Sequence, residues 1–131
     1  MSHKILYIDD DQDDFNLLHE AFSSIAPAYE IIGAKDGMDG LELLEQFHGK
    51  EELPCLVILD LNMPRMDGKE TFIALKKHPL LQSIPVVIFS TSNNQMDKIF
   101  FENKHVEYMV KPIKLNDLQE TAKKMLSLCS E

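Results

Sequence analysis

Apolar and polar positions change period repeatedly along the chain. Short runs rich in β-branched and aromatic residues fall at 4–9 (KILYID), 29–34 (YEIIGA), 55–60 (CLVILD), 84–90 (IPVVIFS) and 106–110 (VEYMV). Runs of this length and composition predict strands, and most are too continuously apolar to leave one face in water. Between them the period lengthens to that of a helix. Phe15, Leu18, Phe22 and Ile25 recur at spacings of 3, 4 and 3, and Met38, Leu41, Leu44 and Phe47 make a second stripe. Leu115, Leu118, Ala122, Met125 and Cys129 recur at 3, 4, 3 and 4. A fourth helix is predicted near 94–103, with Met96, Ile99 and Phe100 as its core stripe. Phe101 stands a further ~100° round, at the edge of that stripe or outside it. Two arrangements fit: an exposed Phe101 that contacts a partner, or a distorted short helix that tucks it against the fifth strand.

Strands that alternate with whole helices are most simply parallel, joined by right-handed crossovers. The expected fold is α/β, a doubly wound (βα)5 sheet of five parallel strands in a three-layer sandwich. No repeat, low-complexity tract or linker interrupts the 131 residues, which are expected to form a single domain over 1–131. With 13 Lys and Arg against 22 Asp and Glu, the net charge of −9 opposes binding to nucleic acid or an anionic membrane. No apolar run approaches the ~20 residues of a membrane span, and the N-terminus lacks a signal-peptide core, so a cytoplasmic protein is expected. Cys55 and Cys129 lie far apart and outside any C-x-x-C spacing. Neither a zinc site nor a disulfide framework is suggested, and reduced thiols are expected.

In doubly wound sheets the chemistry collects outside the carboxyl ends of the strands. The predicted strands end in Asp9, Asp10 and Asp11, in Asp60, in Ser90 and Thr91, and in Lys111 followed by Pro112. Asp9, Asp10 and Asp60 would repel one another strongly unless one is protonated or a cation intervenes. An all-oxygen donor set suits Mg2+, and no His or Cys is placed to favour zinc. The charges of three carboxylates, a divalent ion and Lys111 then cancel. A neutralised aspartate beside a metal, a lysine and a hydroxyl can accept a phosphoryl group. Asp60 is the best nucleophile: it stands alone at a strand end, ahead of LNMPRMDG, where Pro64 and Gly68 shape a loop and Asp67 can cap the next helix. Ser90 and Lys111 are placed to bind phosphoryl oxygens. Simpler roles exist for several acids and hydroxyls. Asp11, Asp13 and Asp14 suit a solvated helix start, and Ser90, Thr91, Ser92 or Asn93 could cap the fourth helix. His3, His19, His48, His78 and His105 show no ligand spacing and are taken as surface residues.

Over almost its whole length the sequence resembles the receiver domain of two-component response regulators. The resemblance is carried by Asp9-Asp10 after ILYI, Asp60 within VILDLNMPRMDG, Ser90 ending IPVVIFS, Tyr108, and Lys111-Pro112 in YMVKP. It implies the flavodoxin-like strand order 2-1-3-4-5 and a phosphoacceptor role for Asp60. It also implies Mg2+ held by Asp10, Asp60 and the backbone carbonyl of Asn62, with Asp9 supporting its water shell. Ser90 and Tyr108 would form a switch pair, Lys111 would contact the phosphoryl group, and the Lys111–Pro112 bond would be cis. Two features depart from the usual pattern: Ser90 stands where threonine is commoner, and NKHVEY lacks the Gly-Ala often found before the fifth strand. The stretch KKHPLLQSIPVVIFSTS resembles the small stand-alone regulators partnered with bacterial phytochromes.

The resemblance further implies a sensor histidine kinase or histidine phosphotransfer protein as phosphoryl donor and a separate downstream protein target. The signal would leave through the surface made by the fourth helix, fifth strand and fifth helix, through which a homodimer could also form. Such a protein phosphorylates itself and promotes hydrolysis of its acyl phosphate, with the side chains of Asn62 and Ser92 near the attacking water, but it is not an enzyme in the usual sense. A relay intermediate passing the group to a second histidine protein is an alternative. Another is a small Mg2+-dependent phosphatase with an aspartyl nucleophile, which needs a second acid two residues on, where this chain has Asn62. A third is a constitutive adaptor without phosphorylation.

Overall fold

Neighbouring residues of the central strands enter opposite cores. In β1 (Lys4–Ile8), β3 (Leu56–Leu59) and β4 (Val86–Ser90), Ile5, Tyr7, Leu56, Ile58, Val87 and Phe89 point to one side of the sheet. Leu6, Ile8, Val57, Leu59, Val86 and Ile88 point to the other. This is the twofold alternation of a pleated strand with both faces covered, which is why these runs are apolar throughout. The structure is a computed structural model that describes residues 3–63 and 65–129; Pro64 and the side chain of Leu115, both given roles above, lie outside the described residues.

Helices α1 (Gln12–Ile25) and α5 (Leu115–Leu128) cover the first face through Leu18, Ala21, Phe22, Leu118, Ala122 and Met125. The second face is covered by α2 (Gly37–Gly49), α3 (Gly68–Lys77) and α4 (Gln95–Asn103). The sheet is parallel, in the order β2-β1-β3-β4-β5, with β2 (Glu30–Ala34) and β5 (Glu107–Val110) at its edges. The three-layer sandwich and its strand order are therefore as expected. Apart from Lys4 at the start of β1, the partly exposed strand positions are those of the two edge strands, matching their less apolar runs.

Short polar side chains start the helices. Asp11 accepts from the backbone N–H groups of Asp13 and Asp14 at the start of α1, and Asp36 accepts from Asp39 at α2. Asp67 and Glu70 form a reciprocal capping box on α3. The cap of α4 is Asn94, one residue beyond the candidates named from sequence, leaving Ser90 free for another role.

Two expectations are overturned. Met96 and Ile99, expected in the core stripe of α4, are 74% and 51% exposed, while Phe101 is fully buried beside Tyr108 of β5, the second of the two arrangements open to it. The inner face of α4 is turned by more than a residue because one large ring fits among Phe72, Phe100 and Tyr108, with centroids 5.3, 4.9 and 6.2 Å away. Asp97, on the same side, is met by Lys69 of α3 at 2.8 Å, so its inward placement leaves no unpaired charge. Cys55 and Cys129 are joined as a disulfide, with their Cα atoms 4.9 Å apart, instead of remaining as separate thiols. Their 74-residue separation hides the contact, because α5 runs back along the sheet and returns its last turn to the start of β3. That Cα spacing lies within the disulfide range.

Candidate functional site

Asp9 and Asp60 are the first residues beyond β1 and β3, and the pairing of Ile8 with Leu59 sets them side by side. Backbone bonds hold both: the Asp9 N–H donates to Ala34 at 2.9 Å and the Asp60 N–H to Ile8 at 3.0 Å. The strand order reverses direction here, with β2 on one side of β1 and β3 on the other. The crevice at that point is where an open α/β sheet binds its ligand. Asp9 and Asp60 are both buried and Asp10 is exposed, yet carboxylate oxygens of all three lie within 4.8 Å of one another.

Burial and the neighbouring Asp9 charge push the Asp60 carboxyl up from an ordinary 3.8 to about 6, against the lowering effects of Lys111, the Leu61 N–H and Ser90. The Lys111 ammonium lies 2.6 Å from Asp9, 2.7 Å from Asp14 and 3.8 Å from Asp60. Burial pulls its pKa down, but hydrogen bonds to Asp14 and Asp9 and the Asp60 charge outweigh that and hold it above the ordinary lysine value. An all-oxygen carboxylate group with one exposed member fits a hard divalent cation that keeps several waters.

The loop after Asp60 carries Asn62, which is exposed. It is braced by Arg65, whose guanidinium grips buried Asp36 through Nε at 2.6 Å and a second nitrogen at 3.2 Å. That hydrogen-bonded pairing holds the Asp36 carboxyl below its ordinary range. Gly68 ends the loop where no side chain fits: a Cβ there would collide with the Asp60 carbonyl oxygen and come within 2.7 Å of the Leu61 Cα. Ser90 is fully buried at the end of β4, and its Oγ accepts from the Ser92 N–H at 3.2 Å. The Tyr108 hydroxyl donates to the Ser92 carbonyl at 2.9 Å, so this half-buried ring reaches the β4–α4 connection and not the carboxylates.

The Lys111–Pro112 bond is trans and not cis as the resemblance implies, and all peptide bonds among the described residues are trans. Trans is the lower-energy isomer by about 0.5–1 kcal/mol. Lys111 reaches Asp9 and Asp14 from it while its N–H donates to the Ser90 carbonyl at 2.8 Å.

Two neighbours of the acids are not expected at the site from sequence: Tyr7 is not singled out there, and Asp14 suits a solvated helix start. The Tyr7 hydroxyl donates to Asp9 at 2.6 Å in a buried contact, and burial together with the Asp9 charge drives the phenol pKa far up. Strand alternation makes this pairing legible, since residues two apart share a face. Tyr7→Phe keeps the ring and removes one partner of a buried carboxylate. It is expected to lower stability by about 1 kcal/mol in urea unfolding followed by circular dichroism. Asp14 shows no such signal, because its contact with Lys111 spans 97 residues.

Fold, strand-end acids and lysine define a signalling receiver. The chain belongs to the response regulator family: the model of the response regulator receiver domain matches residues 5–123. It is 36% identical to response regulator Rcp1 of Synechocystis over 118 residues, covering 87% of this chain and 80% of that one. The crystal structure of the phosphorylated cyanobacterial phytochrome response regulator RcpA superposes with a TM-score of 0.85 at 33% identity, over 97% of this chain and 96% of that one. The Mn2+-bound form of Rcp1 gives 0.80 at 34% identity, over 95% and 91%. Receivers of this family bind Mg2+ or Mn2+ at an acidic pocket, and Asp9, Asp10 and Asp60 provide one here. No helix among the described residues is long and apolar enough to cross a membrane.

Proposed function

We propose that this receiver accepts a phosphoryl group on Asp60 from a phosphohistidine of a sensor kinase or phosphotransfer protein. The observation that carries the reading is the meeting of Asp60 with Asp9, Asp10 and Lys111 at the switch point of the sheet. A carboxylate oxygen of Asp60 attacks phosphorus, the P–N bond breaks as the P–O bond forms, and the imidazole leaves with a proton taken from water. A divalent cation held by Asp10, Asp60 and the Asn62 carbonyl, with Asp9 acting through water, would neutralise the charge that gathers on the transferring group. Lys111 supplies a positive charge 3.8 Å from Asp60, and the buried Ser90 hydroxyl offers a hydrogen bond to a phosphoryl oxygen.

Added charge at Asp60 draws Lys111 and Ser90 inward and biases Tyr108, which is tied to the β4–α4 connection. The change is read on the α4–β5–α5 face, where Met96, Ile99 and Val110 expose apolar surface to a downstream protein or a second copy of the chain. The likeness to phytochrome regulators favours a phytochrome-type kinase as the cytoplasmic donor. Incubation with Mg2+ and acetyl phosphate is expected to add one phosphoryl mass to the intact protein and none to Asp60→Asn. No gain in the wild type, or a gain that survives the substitution, would overturn the reading. Steady multiple turnover of phosphate esters would identify a phosphatase instead.

A further inference from the structure

We propose that Asp14 is a positioning residue that retains Lys111 in the resting protein, so that phosphoryl transfer to Asp60 requires release of the Lys111–Asp14 ion pair. The inference rests on the receiver reading given above. Lys111 has three N–H donors, and its ammonium stands at hydrogen-bond distance from Asp9 and Asp14 but 3.8 Å from Asp60. Two of those donors are engaged at rest, and a phosphoryl group on Asp60 draws the ammonium toward that residue and away from the partner that holds it least firmly.

The two contacts differ in how firmly they are held. Asp9 is fixed from other sides by the Tyr7 hydroxyl at 2.6 Å and the Asp11 N–H at 2.9 Å, and its side chain is 1% exposed. Asp14 stands in the first turn of α1 with its side chain 31% exposed, so water can replace the lysine. The weaker and wetter partner is the one to give way. The Asp14 carboxylate thus holds the lysine back from Asp60.

Asp14→Asn keeps the shape and removes the charge. With Mg2+ and limiting acetyl phosphate, its initial rate of phosphoryl incorporation is expected to rise about threefold to fivefold, the scale of a partly exposed ion pair. Asp14→Glu is expected to restore the slower rate. In a Lys111→Met background, Asp14→Asn should add nothing, because Asp14 acts through the lysine. As a second readout, the Lys111 ammonium resonance in the metal-free protein should shift or broaden in Asp14→Asn. An unchanged or slower rate in Asp14→Asn, an equal gain with and without Lys111, or an unmoved lysine resonance would each overturn the proposal. Failure of the wild type to gain any phosphoryl mass would instead remove the receiver reading on which it stands.

Discussion

Phe101→Ala is expected to lower the free energy of unfolding by about 3–4 kcal/mol, the cost of truncating a buried aromatic in a core that cannot fully collapse. Phe101 is fully buried and edge-on to both Phe72 and Phe100, so its removal empties the contact between α4 and α3 and strips one face from Tyr108. Ile99→Ala, on the exposed side of the same helix, is expected to change stability by no more than about 0.5 kcal/mol. Urea unfolding of the two variants beside wild type, with the denaturant slopes compared, separates them. A loss below about 1 kcal/mol for Phe101→Ala would return that residue to the surface. The helix carrying Phe101 also bears the exposed Met96 and Ile99, so the same substitution should loosen the face proposed to meet partners.

In metal-free buffer, Asp60→Asn is expected to stabilise the protein by about 3 kcal/mol at pH 7.5, since a shift of one pKa unit is worth about 1.4 kcal/mol. The native state holds the Asp60 carboxyl near 6 against an ordinary 3.8 because burial and Asp9 oppose its charge. Between those values the native protein therefore binds more proton than the unfolded chain. The favourable contribution of protonated Asp60 is complete below about pH 4 and is lost as pH rises through about 6. The advantage of Asp60→Asn should accordingly be near zero at pH 4, grow across that window and level off above pH 7. Adding Mg2+ at neutral pH should stabilise wild type by mass action and narrow the gap, because the carboxylate penalised in the empty site is the one a cation would neutralise. A gap that is independent of pH would show that Asp60 is not held as the structure places it.

The central sheet was legible because burial on both faces leaves a signal in composition alone. Each of the runs KILYID, CLVILD and IPVVIFS contains a central strand, displaced by no more than two residues at either end. The strand-end acids were legible for the same reason: a charged residue directly after a fully apolar run has few roles other than chemistry or a turn. Helix α4 was not. Of its expected stripe only Phe100 packs on the core, beside the buried Phe101, while Met96 and Ile99 turn outward and Lys69 satisfies the inward-facing Asp97.

The sequence by itself determined the alternation of strands and helices, the two-sided core, and Asp9, Asp10, Asp60, Ser90 and Lys111 at the strand ends, because each is written in a local period or at its boundary. Tertiary structure decided what those groups touch. The return of α5 joins Cys55 to Cys129 across 74 residues, and the side chain of Lys111, just beyond β5, reaches back across the strand ends to Asp9 and Asp14. Such contacts have no period to betray them. They arise where elements pack, and a carboxylate that looks like an ordinary helix start acquires its partner only when the fold brings a distant lysine side chain to it.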